Sequence, residues 1–487
     1  MDYLDPRKQR NHNALLFVGY ITITIAIVMT SLVLLYQAYG FGIGKNGTII
    51  QNGLLFFSSK PQGADIYINN KPKVRTNSRL VLPEGIYSVR ISRPGYQDWN
   101  RKIEVDGGSV THFDYPFLVP KSLQYVKTQS YDAVPTMISQ SPNQRWLVTG
   151  GADDSFTATD LKNDPKTATA LALPSGVVTK GENERWQAVA WADDNVHLLL
   201  KHNYNDTSEY VLLDRDSPDQ SINLTTTLGT NPTELRLNNL KYDQFYLFDS
   251  AAQTLSTASL KAPTPVQLLS GVLAYKSYSD TTVLYVSDAD APSGKVTLKL
   301  KQGNQVYSLR TLPGNTSYVI NLATYDGVPY VIAGAASDGK VYVYKDPIGQ
   351  LATQPTQSIV PVQLLRVPGV DYLEFSTTAQ YIVAEHGNQF AVYDFQGKNG
   401  YNYNLKQPLD NPQTHVGWMD GNRLTYISGG KLEIIDYDET NAHTLLAARA
   451  DFTPYFAADY SVVYTVTTDA AGATQLQQTY LLVPGDR

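Results

Sequence analysis

The chain of 487 residues exceeds one ordinary domain and leaves room for two or three, each able to bury a core of its own. Charged residues make up 17%, the formal net charge is -6 and 34 residues are tyrosine, which excludes a disordered acidic polymer and a nucleic-acid binder. The absence of cysteine removes disulfides, thiolate zinc sites and cysteine nucleophiles together, so packing alone must hold the fold.

Residues 1–13 read as a basic cytoplasmic tail, and residues 14–39 as a transmembrane helix. Ala14 to Tyr39 contains no charged residue, and 26 residues of helix span about 39 Å against a hydrocarbon core of roughly 30 Å. Arg7, Lys8 and Arg10 precede the span and the next basic residue is Lys45, so the positive-inside rule keeps the N-terminus in the cytoplasm and exports the rest. A cleaved signal peptide is the rival, but its apolar stretch covers only about 7 to 15 residues and ends on a small-x-small site, neither of which fits. The lipid bilayer is therefore the first expected partner, and residues 40–53 are expected to be a linker.

Residues 54–120 alternate in short runs such as ADIYIN, IYSVRIS and RKIEV, with Ile66, Ile68, Ile103 and Val105 in inward positions. Asn69-Asn70 suits a tight turn, and Pro94-Gly95 fits the centre of a type II turn with Gly95 at φ > 0. Pro83-Glu84-Gly85 predicts a hairpin loop with Gly85 at φ > 0, and the whole a small antiparallel β-sandwich. Pro83-Glu84-Gly85-Ile86 resembles the signature of the PEGA domain, with Ile86 where that family has Ala. Pro61-x-Gly63-Ala64-x-Ile66-Tyr67-Ile68, Leu80-x-Leu82-Pro83, Tyr87-x-Val89-x-Ile91 and Pro94-Gly95-Tyr96-x-x-Trp99 also fall where that family's pattern has them. The resemblance implies an extracytoplasmic accessory domain linked to surface layers or envelope polymers, and it brings no catalytic residues. Tyr96 and Trp99 are candidates for stacking on a sugar, against a plainer role in closing the end of a small core.

From residue 121 to 487 a strand, turn, strand unit recurs, its second strands centred near Trp146, His197, Phe245, Val283, Tyr330, Tyr381, Leu424 and Val462. Spacings of 38 to 51 residues suit four-stranded propeller blades. The count is eight blades, or seven if the unit around Phe245 merges with a neighbour. Ser141-Pro142-Asn143, Ala192-Asp193-Asp194 and Met419-Asp420-Gly421 resemble the turn of WD-like repeats, with Trp191 and Trp418 just before two of them. Both tryptophans are weighed as ligand contacts against inter-blade packing. The last unit lacks a fourth strand, and residues 123–128 (LQYVKT) are extended and otherwise unpaired, so they are expected to complete it and close the ring.

No His-Glu-x-x-His pair, nucleophile elbow or phosphate-binding glycine loop occurs, and His197 and His202 are five apart, which does not converge two imidazoles on one metal. Acidic groups such as Asp214-x-Asp216 and Asp436-x-Asp438-Glu439 read as turn formers at blade corners. No cofactor, metal or catalytic residue is assigned. The expected function is a membrane-anchored, extracytoplasmic binding or envelope-organising protein whose propeller recognises a cell-wall glycan or a surface protein. The alternatives are an anchored glycan hydrolase or lyase and an assembly scaffold.

Overall fold

The computed structural model describes residues 6–38, 40–43, 49–151, 154–163, 166–353 and 358–486. Helix α1 (Pro6–Ala38) starts earlier than the uncharged run, because Pro6 with its fixed φ is well placed in a first helical turn. Its segment Arg10–Tyr36 is long and apolar enough to cross a membrane. Thr22, Thr24 and Thr30 are tolerated there because each hydroxyl donates to the carbonyl four residues back, at 2.9, 2.8 and 2.7 Å.

The chain divides into two compact units, the first running from residue 1 to 122 and the second from residue 123 to 485. Eight strands build the first: β1 (Phe41–Ile43), β2 (Ile49–Phe57), β3 (Asp65–Ile68), β4 (Lys71–Arg75), β5 (Ser78–Pro83), β6 (Gly85–Ser92), β7 (Trp99–Val105) and β8 (Val110–Phe113). One sheet is organised on β2, which pairs with β1, β5 and β8, and the other runs β4-β3-β6-β7. Leu55 and Phe57 of β2 and Ile66, Ile68, Val89, Ile91, Ile103 and Val105 of the other sheet are all buried and form the core. The two sheets approach closely where Gly53 passes β7, since a Cβ there would lie 2.6 Å from Val105 Cγ1.

Three sequence expectations change in this unit. Pro83-Glu84-Gly85 is not a hairpin loop: β5 pairs with β2 while β6 pairs with β3 and β7, so the corner carries the chain from one sheet to the other. The sandwich is not wholly antiparallel, because β8 runs parallel to β2 from Leu54↔Val110 to Phe57↔Phe113. Part of the expected linker is strand, with Phe41 to Ile43 paired to Ile49 to Gln51. The turn glycines behave as expected: Gly85 and Gly95 have φ of 150° and 87°, and Asn69 and Asn70 are left-handed at 48° and 62°. Tyr96 N–H donates to Arg93 O at 3.1 Å across Pro94-Gly95.

The second unit opens with β9 (Gln124–Tyr131) and continues through four-stranded antiparallel sheets over residues 137–171, 185–223, 234–270, 272–313, 318–366, 372–404 and 417–447, here sheets 1 to 7. Sheet 8 takes three strands from 455–480 and its fourth from β9, which pairs with Thr474–Tyr480 through a bulge at Leu476/Gln477. The closing strand is therefore longer than LQYVKT, and the segment around Phe245 is a sheet in its own right.

Second strands are buried on both faces because each sheet is packed between two others. In sheet 2, Leu198 and Leu200 enter a cluster with Met137, Val148 and Phe156 of sheet 1, while Leu199 between them joins Leu235, Phe245 and Leu247 of sheet 3. Tyr246 and Phe248 turn to Val283 and Tyr285 of sheet 4, and Leu284 and Val286 to Val331 and Ala333 of sheet 5. Ile332 then meets Ile382 and Ala384 of sheet 6. Finally Val462, Tyr464 and Val466 of sheet 8 pack on Ile138 and Leu147 of sheet 1, which closes a β-propeller. Each leucine side chain buried this way contributes on the order of 1.5–3 kcal/mol.

Two predictions follow from these contacts. Gly95→Val places a β-branched residue at φ 87° and should cost the first unit more than about 1 kcal/mol; hydrogen exchange of β6 and β7 should accelerate while sheets 1 to 8 keep their protection, and unchanged exchange would refute the turn. A chain beginning at residue 132 lacks β9 and should aggregate or melt without cooperativity, whereas one beginning at residue 119 should melt as a unit. Identical melting of the two would refute closure.

Candidate functional site

First strands of neighbouring sheets come together on the axial side of the ring, as those of sheets 1 and 2, 2 and 3, 4 and 5, and 5 and 6 do. Their alternation leaves every second side chain facing the axis, and there polar groups collect. Lys276 of sheet 4 is open to the axial space yet surrounded by protein, and this loss of bulk water pushes its ammonium below the usual lysine range. Glu374 of sheet 6 lies within reach of that charge, but burial dominates and raises its carboxyl. Its Oε2 is buried with no hydrogen-bond partner among the described residues.

Beside Glu374 the carboxylate of Glu385 is almost fully buried, accepting from Val416 N–H at 2.9 Å and facing His415 Nδ1 at 3.3 Å. The bond to Glu385 raises the His415 pKa against the opposing effect of burial. Tyr372 stacks on the His415 ring with centroids 4.2 Å apart. A carboxyl with a raised pKa, an ammonium with a lowered one and an imidazole held toward its charged form thus converge from sheets 4 and 6 and the segment before sheet 7. They can both donate and accept hydrogen bonds.

A second feature is a cavity of about 510 Å³ between the outer strands of sheets 6 and 7, lined by Tyr403, Gln407, Tyr426, Glu433, Asp438 and Glu439 among others. Tyr403 Oη is buried there without a hydrogen-bond partner among the described residues. Burial and the charge of Glu433 push the Tyr426 hydroxyl up to about 12, so it remains a donor at any physiological pH. Burial also raises the Glu433 carboxyl, which accepts from Thr444 Oγ1 at 2.8 Å. Rings, hydroxyls, carboxylates and an amide share one polar wall.

Most residues singled out in the sequence fall elsewhere, the exceptions being Trp418 beside the axial group and Asp438 and Glu439 in the cavity wall. Tyr96 and Trp99 are fully buried in the first unit, where Trp99 meets Tyr115 edge-on at 5.8 Å. Trp191 is buried between sheets 1 and 2, its Nε1–H donating to Ser139 Oγ at 3.0 Å. Trp418 is half-buried and adjoins the axial group, donating to Glu374 O at 3.3 Å. Arg7, Lys8 and Arg10 lie in the first turns of α1. Sequence reasoning missed Lys276, Glu374, His415 and the cavity residues other than Asp438 and Glu439, which it read as turn formers; the local signal was the density of tyrosine and acid in Tyr401-Asn402-Tyr403 and Tyr437-Asp438-Glu439. Asp214 does cap a corner, accepting from Asp216 N–H and Ser217 N–H at 2.9 and 2.8 Å.

Residues 52–119 match the PEGA domain family, so the small sandwich is a PEGA domain. No curated protein matches the chain. Among solved structures it is similar to the C-terminal WD40 domain of Sif2, at 9% identity over 72% of this chain and 97% of that one with a TM-score of 0.47. Saccharomyces cerevisiae Sqt1 gives 12% identity, 73% and 97% coverage and 0.44, and an oligogalacturonate lyase from Vibrio parahaemolyticus 10%, 75% and 98%, and 0.38. Likeness of this degree says nothing about what the chain binds or does.

The axial carboxyl makes a prediction about pH. With its pKa raised above the ordinary 4.5, Glu374 contributes stability that is fully present below about pH 4.5 and lost as pH rises through the raised value. Glu374→Gln removes that loss, so the denaturation midpoint of the variant should gain on the wild type as pH is raised. Parallel pH profiles would show that the carboxyl is not raised.

Proposed function

We propose that this chain is a membrane-anchored binding protein whose β units lie outside the cytoplasm and whose propeller holds a hydroxyl-rich ligand, an envelope glycan, without turning it over. The cavity between sheets 6 and 7 carries this reading. Tyrosine faces suit the C–H face of a sugar ring, and carboxylates with amides suit its hydroxyls, the pairing expected of a site that orients a polar ligand by a few placed groups. The apolar N-terminal helix is compatible with a single-pass anchor, and the placement of Arg7, Lys8 and Arg10 before it favours a cytoplasmic N-terminus. The PEGA domain is in keeping with an extracytoplasmic spacer.

Two experiments test this. The detergent-solubilised chain, applied to an array of envelope oligosaccharides, should retain a subset without releasing product, and Glu433→Gln should weaken retention roughly ten- to hundredfold by removing charged hydrogen bonds of about 1.5–3 kcal/mol. Binding indifferent to that substitution would remove the cavity from the proposal. Protease added to wall-permeabilised cells should digest the second unit and leave a short membrane-bound stub; complete protection would reverse the orientation.

A further inference from the structure

Between sheets 1 and 2, well away in sequence from the cavity residues, Asp154, Glu184 and His202 each point one ligand atom to a common place, all within 4.8 Å of one another. They come from three different elements: the turn between the second and third strands of sheet 1, the residue before the first strand of sheet 2, and that sheet's second strand. His202 is completely buried. Trp186 lies parallel to its ring at 4.3 Å, and Glu209, opposite it in register, faces Nδ1 at 3.0 Å.

The state of the imidazole follows from Glu209. That carboxylate already accepts from Thr179 N–H at 2.7 Å, Thr179 Oγ1 at 3.0 Å and Asn223 Nδ2 at 2.8 Å, so it is fixed and acts as an acceptor toward Nδ1–H. Nε2 is then left with its lone pair outward. Among the described residues it has no hydrogen-bond partner, and 3.5 Å in front of it stands Glu184 Oε2, another acceptor. Asp154 Oδ1 is likewise buried and, among the described residues, without a hydrogen-bond partner. Three acceptors facing one another in a largely buried place repel unless a cation lies between them. The ammonium of Lys180 supplies part of that charge, contacting Asp154 Oδ2 and standing 3.9 Å from Glu184 Oε2. Its side chain is 64% exposed.

We propose that Asp154, Glu184 and His202 bind a divalent transition-metal ion of the zinc class, with Glu209 as the positioning residue behind His202 and Lys180 as the cation displaced on loading. One imidazole nitrogen and two carboxylate oxygens suit such an ion, and a carboxylate behind the ligating histidine is the usual means of fixing its tautomer. Three protein ligands leave a coordination position open. The site would also tie sheet 1 to sheet 2 by a bond stronger than packing. Histidine spacing gave no sign of it, because the three ligands lie 18 or more positions apart.

The test uses the detergent-solubilised full chain, stripped with chelator and titrated with zinc, manganese, magnesium and calcium chlorides by calorimetry. Zinc should bind with 1:1 stoichiometry and raise the melting temperature, while magnesium and calcium should not compete at equal concentration. Glu184→Gln and Asp154→Asn, both isosteric, should each weaken zinc by about tenfold or more, and Glu209→Gln by a similar factor through the tautomer. Lys180→Met should tighten binding, which a merely structural cluster would not do. Cobalt, which is paramagnetic, should quench the fluorescence of Trp186 stacked on His202. No saturable zinc binding in the folded wild type, or binding unchanged in Glu184→Gln and Asp154→Asn, would overturn the proposal.

Discussion

Every sheet of the propeller is held by the double burial of its second strand, and the remaining architecture depends on that constraint. A strand whose two faces are both apolar cannot exist at a free surface, so Leu198 and Leu200 require sheet 1 as firmly as Leu199 requires sheet 3. Applied around the chain, the same parity leaves no sheet that can be first or last. Packing of Val462, Tyr464 and Val466 on Ile138 and Leu147 satisfies the final pair of faces, and β9 satisfies the final edge.

Ring closure has electrostatic consequences at the axis. Lys276, Glu374 and His415 are brought together although they come from sheets 4 and 6 and the segment before sheet 7, and the surrounding protein removes bulk water from Lys276 and Glu374. Charge is thereby disfavoured on Glu374 and Lys276, while His415 escapes the penalty through Glu385. Between neighbouring sheets, polar side chains also gather away from the apolar clusters, as in the tyrosine-lined cavity and the His202 cluster.

The PEGA domain solves a smaller version of the same problem with two sheets and a shared core. Strand β2 serves as the hub, bonded to β1, β5 and β8, and the corner at Pro83-Glu84-Gly85 moves the chain to the second sheet. Tyr96 and Trp99 are spent on this core, which is why neither aromatic offers a face to solvent.

Local periodicity was sufficient for much of this fold. The uncharged run from Ala14 declared the apolar helix, alternation marked the strands, and Asn69-Asn70, Pro94-Gly95 and the recurring turns marked their ends, because each of these signals is carried by a few adjacent residues. Even the role of the strand after residue 123 was legible, from a simple deficit of one strand in the last unit. Pairing partners were not: an alternating pattern shows which face of a strand is buried and is silent about what buries it, so the crossover at Pro83 and the parallel β2 and β8 pair emerged only from the tertiary structure. The sites were hidden for the same reason in stronger form. Glu374 and His415, Tyr403 and Glu433, Asp154 and His202 are aperiodic polar residues far apart in the chain, and only the stacking of sheets around a closed ring brings their side chains within reach of one another.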